Sequence, residues 1–265
     1  MSKSKIDWCD ESWNPVTGCR HGCPYCYARD IVHRFGGEAN GRIHELTKPE
    51  RDARGHASPY PFGFDPTFHE YRLGDYSGPR MIGRTIFVGS MADLFGDWVP
   101  DDWITRVFRA CRNGPQHTYL FLTKNPARYA RLKEAGLLPE DQNMFFGCTV
   151  TDEASFDRNM DAMRTGLHFM NNAFVSIEPL RGRIRMTEER TLRMNCCEWV
   201  IIGAETGTHP DRVVPAREWV EEIVDARHNR HTHLPLFMKD NIATVWGTEL
   251  IRERPGMAVY YTKDK

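Results

Sequence analysis

From about residue 84 onward, short β-branched and aromatic runs alternate with amphipathic stretches, and this alternation points the chain towards βα units around a parallel sheet. TIFVGSMAD (85–93), TYLFLTKN (118–125), MFFGCTVTD (144–152), AFVSIEPL (173–180) and WVIIGAETG (199–207) read as strands, with LPLFMKDN (234–241) a sixth and weaker one. In DDWITRVFRACRN, Trp103, Ile104, Val107, Phe108 and Cys111 recur at helical spacing, with Asp101 or Asp102 expected as the cap. PARYARLKEAG ends on a glycine suited to a C-cap, and PAREWVEEIVDARH opens with proline and acids as a helix should. With 265 residues, 40% of them hydrophobic, the chain is long enough for one large core and suits a single α/β barrel over 1–265.

Towards the N-terminus, WNPVTG (13–18) reads as a short first strand and YCYARDIVHRFGG (25–37) as a helix closed by Gly36 and Gly37, so the segment from Cys19 to Pro24 is a loop. Residues 38–83 are rich in Gly, Pro, His and Arg without a clean period, and are expected to be an irregular insertion over one face of the barrel. A barrel of this kind does its chemistry at the C-terminal edge of its strands. Ser90 and Asp93, Thr123 and Lys124, Thr149 and Thr151, Glu178, Glu205, and Lys239 with Asp240 all fall where a strand run turns polar.

Lys plus Arg (35) nearly balance Asp plus Glu (36), so no overall positive field draws the chain to nucleic acid, and such binding would need a local patch. No stretch approaches the roughly 18 apolar residues of a membrane helix, and MSKSKIDWCDESW lacks the apolar core of a signal peptide. The expected location is cytoplasmic, with no membrane partner. In a reducing compartment, clustered thiols hold metal or do chemistry more often than they form disulfides.

Among the eight cysteines, CRHGCPYCYA sets Cys19, Cys23 and Cys26 at C-x3-C-x2-C spacing. A [4Fe-4S] cube normally takes four thiolates. Three from one loop leave an iron open to chelate a small molecule and pass it an electron. The competing reading is a structural zinc site, for which Cys9 or His21 would supply the fourth ligand; a non-catalytic iron-sulfur or zinc interaction module follows from either metal. Charges at successive strand ends are costly unless they meet a partner, which makes Glu178, Glu205 and Lys239 candidate substrate contacts and catalytic groups, or else an internal salt-bridge network. Cys148 alternates with Thr149 and Thr151 and so faces away from them, as a buried core thiol; Cys111, Cys196 and Cys197 read as structural.

The cysteine spacing, with Tyr27 after the last thiol, resembles the signature of the radical S-adenosylmethionine (SAM) superfamily. SWNPVTGC, FVGSMADLF, PQHTYLFLTKNPARY, SIEPLRG, WVIIGAETG and FMKD resemble, in that order, segments of a phage- and bacteria-borne radical SAM family related to spore photoproduct lyase. The resemblance covers most of the chain except 38–83. It implies a partial (β/α)6 TIM-type barrel and a [4Fe-4S] cluster on Cys19, Cys23 and Cys26. At its open iron SAM is cleaved reductively, and the deoxyadenosyl radical so released abstracts hydrogen from substrate. It further implies that Ser90 and Asp93 meet the SAM amino group, that Lys124 meets its carboxylate or ribose, and that Thr149 and Thr151 face the ribose hydroxyls. A flavodoxin- or ferredoxin-type protein would then donate electrons.

Two relatives frame the substrate. Spore photoproduct lyase implies repair or modification of DNA or RNA, and queuine lyase implies bond cleavage in a free 7-deazaguanine. RGRIR (181–185) and ARHNRHTH (226–233) offer positive charge for phosphates, or are solvated surface. The near-neutral total favours a small nucleobase-derived substrate over a duplex, and the resemblance to these two lyases implies a lyase-type reaction.

Overall fold

The computed structural model of the chain describes residues 6–52, 54–78, 82–167, 172–207, 210–228, 233–247 and 249–256. All six runs read as strands are strands. In chain order the strands are β1 (Glu11–Trp13), β2 (Val16–Thr17), β3 (His44–Leu46), β4 (Thr67–His69), β5 (Thr85–Val88), β6 (Thr118–Thr123), β7 (Met144–Val150), β8 (Ala173–Ile177), β9 (Trp199–Ile202) and β10 (Leu236–Met238). The helices are α1 (Tyr27–Phe35), α2 (Asp101–Arg112), α3 (Ala127–Glu134), α4 (Glu153–Leu167), α5 (Glu188–Met194), α6 (Arg217–Ala226) and α7 (Ala243–Trp246).

Seven strands follow the order β1-β5-β6-β7-β8-β9-β10, and β2-β4-β3 form a second, smaller sheet. Pairing in the larger sheet is parallel, with Trp13 opposite Val88, Val88 opposite Phe121, Ile177 opposite Ile202, and Ile202 opposite Met238. From β5 on, each strand neighbours the next in the chain, so the order has no switch point. It is the order of a partial TIM-type barrel, in which functional side chains gather along the C-terminal strand edge. The fold class is therefore α/β.

Contacts divide the chain into two compact units, the described residues up to Phe121 and those from Leu122 on. In the first, α2 turns Trp103, Ile104, Val107, Phe108 and Cys111 inward, and Phe108 meets Phe95 and Phe121 in tilted and edge-on ring contacts. In the second, the strands are buried along their whole length, as strands covered on both faces must be. Gly147 leaves no room for a Cβ, which would lie 2.6 Å from the Phe174 ring. Gly166 of α4 likewise lets Tyr129 of α3 approach.

WNPVTG, expected as one strand, is two strands in different sheets. Pro15 has no N–H to continue the parallel ladder, and its carbonyl instead accepts from His69 N at 2.7 Å, which starts the pairing with β4. The insertion is irregular for most of its length but contributes β3 and β4 to the small sheet. The expected cap of α2 is also corrected. Pro100 occupies the N-cap without a side-chain bond, and Asp101 and Asp102 sit inside the first turn. Among the described residues no helix is long and apolar enough to cross a membrane.

Candidate functional site

In the first unit the three thiols lie on one loop, entered through β2 and left through α1. Gly18 sets the entry. Its φ is +84°, and a Cβ there would lie 2.2 Å from the Asp65 carbonyl oxygen, so only glycine serves. Cys19, Cys23 and Cys26 are each partly exposed. Cys26 is the N-cap of α1, its sulfur accepting from Arg29 N at 3.5 Å, so the positive end of the helix faces a sulfur that must carry negative charge to hold a metal. Burial pushes the Cys19 thiol up to about 12, opposed by the His21 amide, with Asp93, Cys23 and Cys26 adding to the rise. Cys19 thus sits in the field of the other two sulfurs, a field that bound iron would neutralise.

The loop is pinned to the segment after β5. Gly18 N donates to Met91 O at 2.9 Å, and the Tyr27 hydroxyl donates to Ser90 O at 2.6 Å. The Asn14 amide nitrogen donates to Ser90 Oγ at 3.1 Å, while Asn14 Oδ1 accepts from Met91 N at 2.9 Å. His21 Nε2 lies 2.7 Å from Asp93 Oδ2, its ring edge-on to Trp98, and Asp93 Oδ1 accepts from Phe95 N. Ser90 and Asp93 are therefore brought to the cysteine loop. Asp93 is buried and engaged with His21, and Ser90 with Asn14. Asn14 and His21 had no role in the sequence reading beyond the latter's use as a zinc ligand; their partners lie 76 and 72 residues away, and no local pattern announces them.

Among the described residues, no three His, Cys, Asp or Glu side chains gather closely enough to hold a single metal ion. A cube takes its three thiolates on three separate irons, so its sulfurs need not converge on one point. The donor set suits that group: three thiols on one half-exposed loop, one of them at a helix N-terminus.

The second unit carries its own set along the C-terminal strand edge. Lys124 follows β6 and is half-buried. Thr149 lies buried within β7, and Thr151 follows it, with its amide donating to Ser155 Oγ at 2.9 Å and its hydroxyl 3.2 Å from Asp152 Oδ2. Glu178, after β8, and Lys239, after β10, form an ion pair. Gly203, after β9, makes room for it: a Cβ would lie 3.0 Å from Lys239 Cδ and 3.2 Å from the Glu178 carboxyl carbon. Glu205 is buried beside Arg181 Nε at 3.0 Å and accepts from Val213 N at 3.2 Å. The three charged residues thus fall into two pairs, Glu178 with Lys239 and Glu205 with Arg181. Cys148 is fully buried, its sulfur 3.9 Å from Met160 Sδ of α4, and burial raises its thiol well above the ordinary range.

Three solved structures of spore photoproduct lyase are similar in fold. A cysteine-to-serine variant gives a TM-score of 0.50 at 14% identity. A complex with dinucleoside spore photoproduct gives 0.47 at 12%, and a double variant with bound AdoMet and dinucleoside spore photoproduct gives 0.48 at 13%. Each comparison covers 87% of this chain and 65% of the lyase, so the chain spans about two thirds of the lyase's length. No curated protein matches the sequence. A family model matches residues 3–250, and the chain belongs to that family, described as protein of unknown function (DUF5131).

Proposed function

We propose that this chain is a radical SAM enzyme that holds a [4Fe-4S] cluster on Cys19, Cys23 and Cys26 and abstracts hydrogen from a nucleobase-derived substrate. The observation that carries the reading is the single loop that presents all three thiols, with Cys26 capping α1. The chemistry such a cluster supplies is one-electron reductive cleavage of bound SAM.

The chain's own residues position and shield. Asn14, His21 and Tyr27 fix the cysteine loop against 89–93, and Asp93 and Ser90 lie there as acceptors for the SAM ammonium. Lys124, Thr149 and Thr151 are proposed for the carboxylate and ribose. Glu178, Lys239 and Glu205 are proposed to meet the substrate. A paired carboxylate and ammonium can exchange a proton or reorient without leaving an uncompensated charge. The substrate class is a free modified base of the 7-deazaguanine kind, acted on by bond cleavage. The alternative reading, suggested by the fold shared with spore photoproduct lyase, is repair or modification of DNA or RNA. A flavodoxin- or ferredoxin-type carrier is proposed as electron donor, in the cytoplasm.

Anaerobic reconstitution tests the reading. The wild-type chain should take up about four irons and, with dithionite, release 5'-deoxyadenosine from SAM, whereas Cys23→Ala should do neither. A reconstituted chain that holds a single zinc and leaves SAM intact would overturn it in favour of an interaction module.

A further inference from the structure

Just beyond α6 and just before β10, two histidines meet. His228 and His233 are partners in an isolated antiparallel bridge, backed by Leu234 N donating to Arg227 O at 3.1 Å. Directly opposed residues of an antiparallel pair project to the same side. The two Nδ1 atoms stand 3.2 Å apart, with ring centroids 4.8 Å apart and planes inclined by 42°. His233 Nε2 lies 3.0 Å from Glu253 Oε2, which also accepts from Arg227 and from Leu236 N.

The carboxylate decides the tautomer. A carboxylate oxygen accepts, so His233 Nε2 donates to Glu253, and in the neutral ring that leaves His233 Nδ1 with its lone pair towards His228. A carboxylate behind one imidazole nitrogen, with the other nitrogen free to ligate, is the arrangement that orients metal-bound histidines. Metal–nitrogen bonds of about 2.0–2.1 Å put two ligand nitrogens about 3.3 Å apart across a tetrahedral corner, close to the spacing here. Both rings are exposed, so an ion can reach them with water as its remaining ligands. Arg227 balances the Glu253 charge, and imidazole nitrogens are donors suited to borderline divalent transition ions.

We propose that His228 and His233 form a two-histidine site for a divalent transition-metal ion, with Glu253 as the residue that orients His233. The site is independent of the cysteine loop and of the radical SAM reading. A bound ion would tie the end of α6 to the start of β10 and to the segment 252–254, which reaches the same strand through the Phe237 to Arg252 bridge.

Cobalt(II) is the probe, added to the full chain carrying Cys19→Ser, Cys23→Ser and Cys26→Ser so that loop thiolates do not compete. One ion should bind per chain, with visible d–d absorbance and no thiolate charge-transfer band, and a hundredfold excess over Kd should raise Tm by roughly 5 °C or more. His228→Gln and His233→Gln should each abolish both signals, and Glu253→Gln should weaken binding by about 10–100-fold. If cobalt does not bind, or binds equally well to both histidine variants, the two rings share an ordinary N–H···N hydrogen bond and the proposal falls. Failure of SAM cleavage by the wild-type chain would leave this result untouched.

Discussion

His69 is wholly buried in β4, with Nε2 2.8 Å from the Thr17 hydroxyl and Nδ1 3.2 Å from the Tyr71 hydroxyl. Burial, with Arg72 adding to it, pushes its imidazole from 6.5 down to about 3. The folded chain therefore keeps His69 neutral where the unfolded chain has taken up a proton, and in that window unfolding is favoured as pH falls. The stability contributed is complete above about pH 6.5 and is lost progressively towards about pH 3. Thr17 leads directly into Gly18 and Cys19, so the loss falls on the entry to the cysteine loop. Urea midpoints should drop between pH 7 and about pH 5. His69→Gln keeps a polar partner for Thr17 but cannot be charged; it should cost about 1 kcal/mol at pH 7 and show a shallower pH dependence. An unchanged slope in the variant would assign the titration to another group. Asp93 is legible in the sequence by its position after β5, and its carboxylate faces His21. A ligand ammonium there would join that pair rather than meet a bare carboxylate.

At the scale of the element, two helix starts separate capping from charge. In α5 the Thr187 hydroxyl accepts from Arg190 N, a true side-chain cap. In α2, Pro100 holds the cap position, so Asp101 and Asp102 meet the helix start through the field of the first turn, and Asp102 also pairs with Arg106 at 3.5 Å. Thr187→Ala should therefore cost about 1 kcal/mol and be insensitive to salt. Asp101→Asn should cost about 0.3–1 kcal/mol, with the loss shrinking as salt rises. Denaturant midpoints at low and high salt distinguish them; a salt-sensitive Thr187→Ala would refute the assignment. The six strands from β5 to β10 are legible because each is an apolar run, β-branched or aromatic, bounded by polar residues. The helix α4 was not singled out: Phe156, Met160, Met163 and Leu167 recur at helical spacing, but Ser155, Asn159 and Gly166 are buried among them and blur the stripe. Asn159 is inside because its amide donates to Thr149 O at 2.8 Å, a bond that no periodicity reveals. The break at Pro15 is written in the sequence as proline's missing N–H, which outweighs the β-branched residues that follow it.

At the scale of the whole molecule, the question is whether the substrate is a free base or a lesion in a nucleic acid, and charge bears on it directly. A formal net charge of −1 supplies no general attraction to phosphate, so duplex binding would have to rest on local cations. RGRIR was the clearest such stretch, and two of its arginines are taken by the chain's own acids: Arg181 by Glu205 and Arg183 by Glu222 at 2.8 Å. Arg190 and Arg193 likewise face Asp157, Glu153, Asp161 and Glu189. Of ARHNRHTH, residues 229–232 lie outside the described residues, and Arg227 pairs with Glu253. An arginine already held by a carboxylate gains little from a phosphate, because one ion pair is exchanged for another and few counterions are released. The expected outcome is weak duplex binding that changes little between 50 and 200 mM salt, measured by fluorescence anisotropy on a short labelled duplex. A protein that neutralised six to ten phosphates would lose about 10³–10⁵ in affinity over the same range. A loss of that size would move the substrate from a free base to DNA, and RGRIR would then have to release Glu205 and Glu222 on binding.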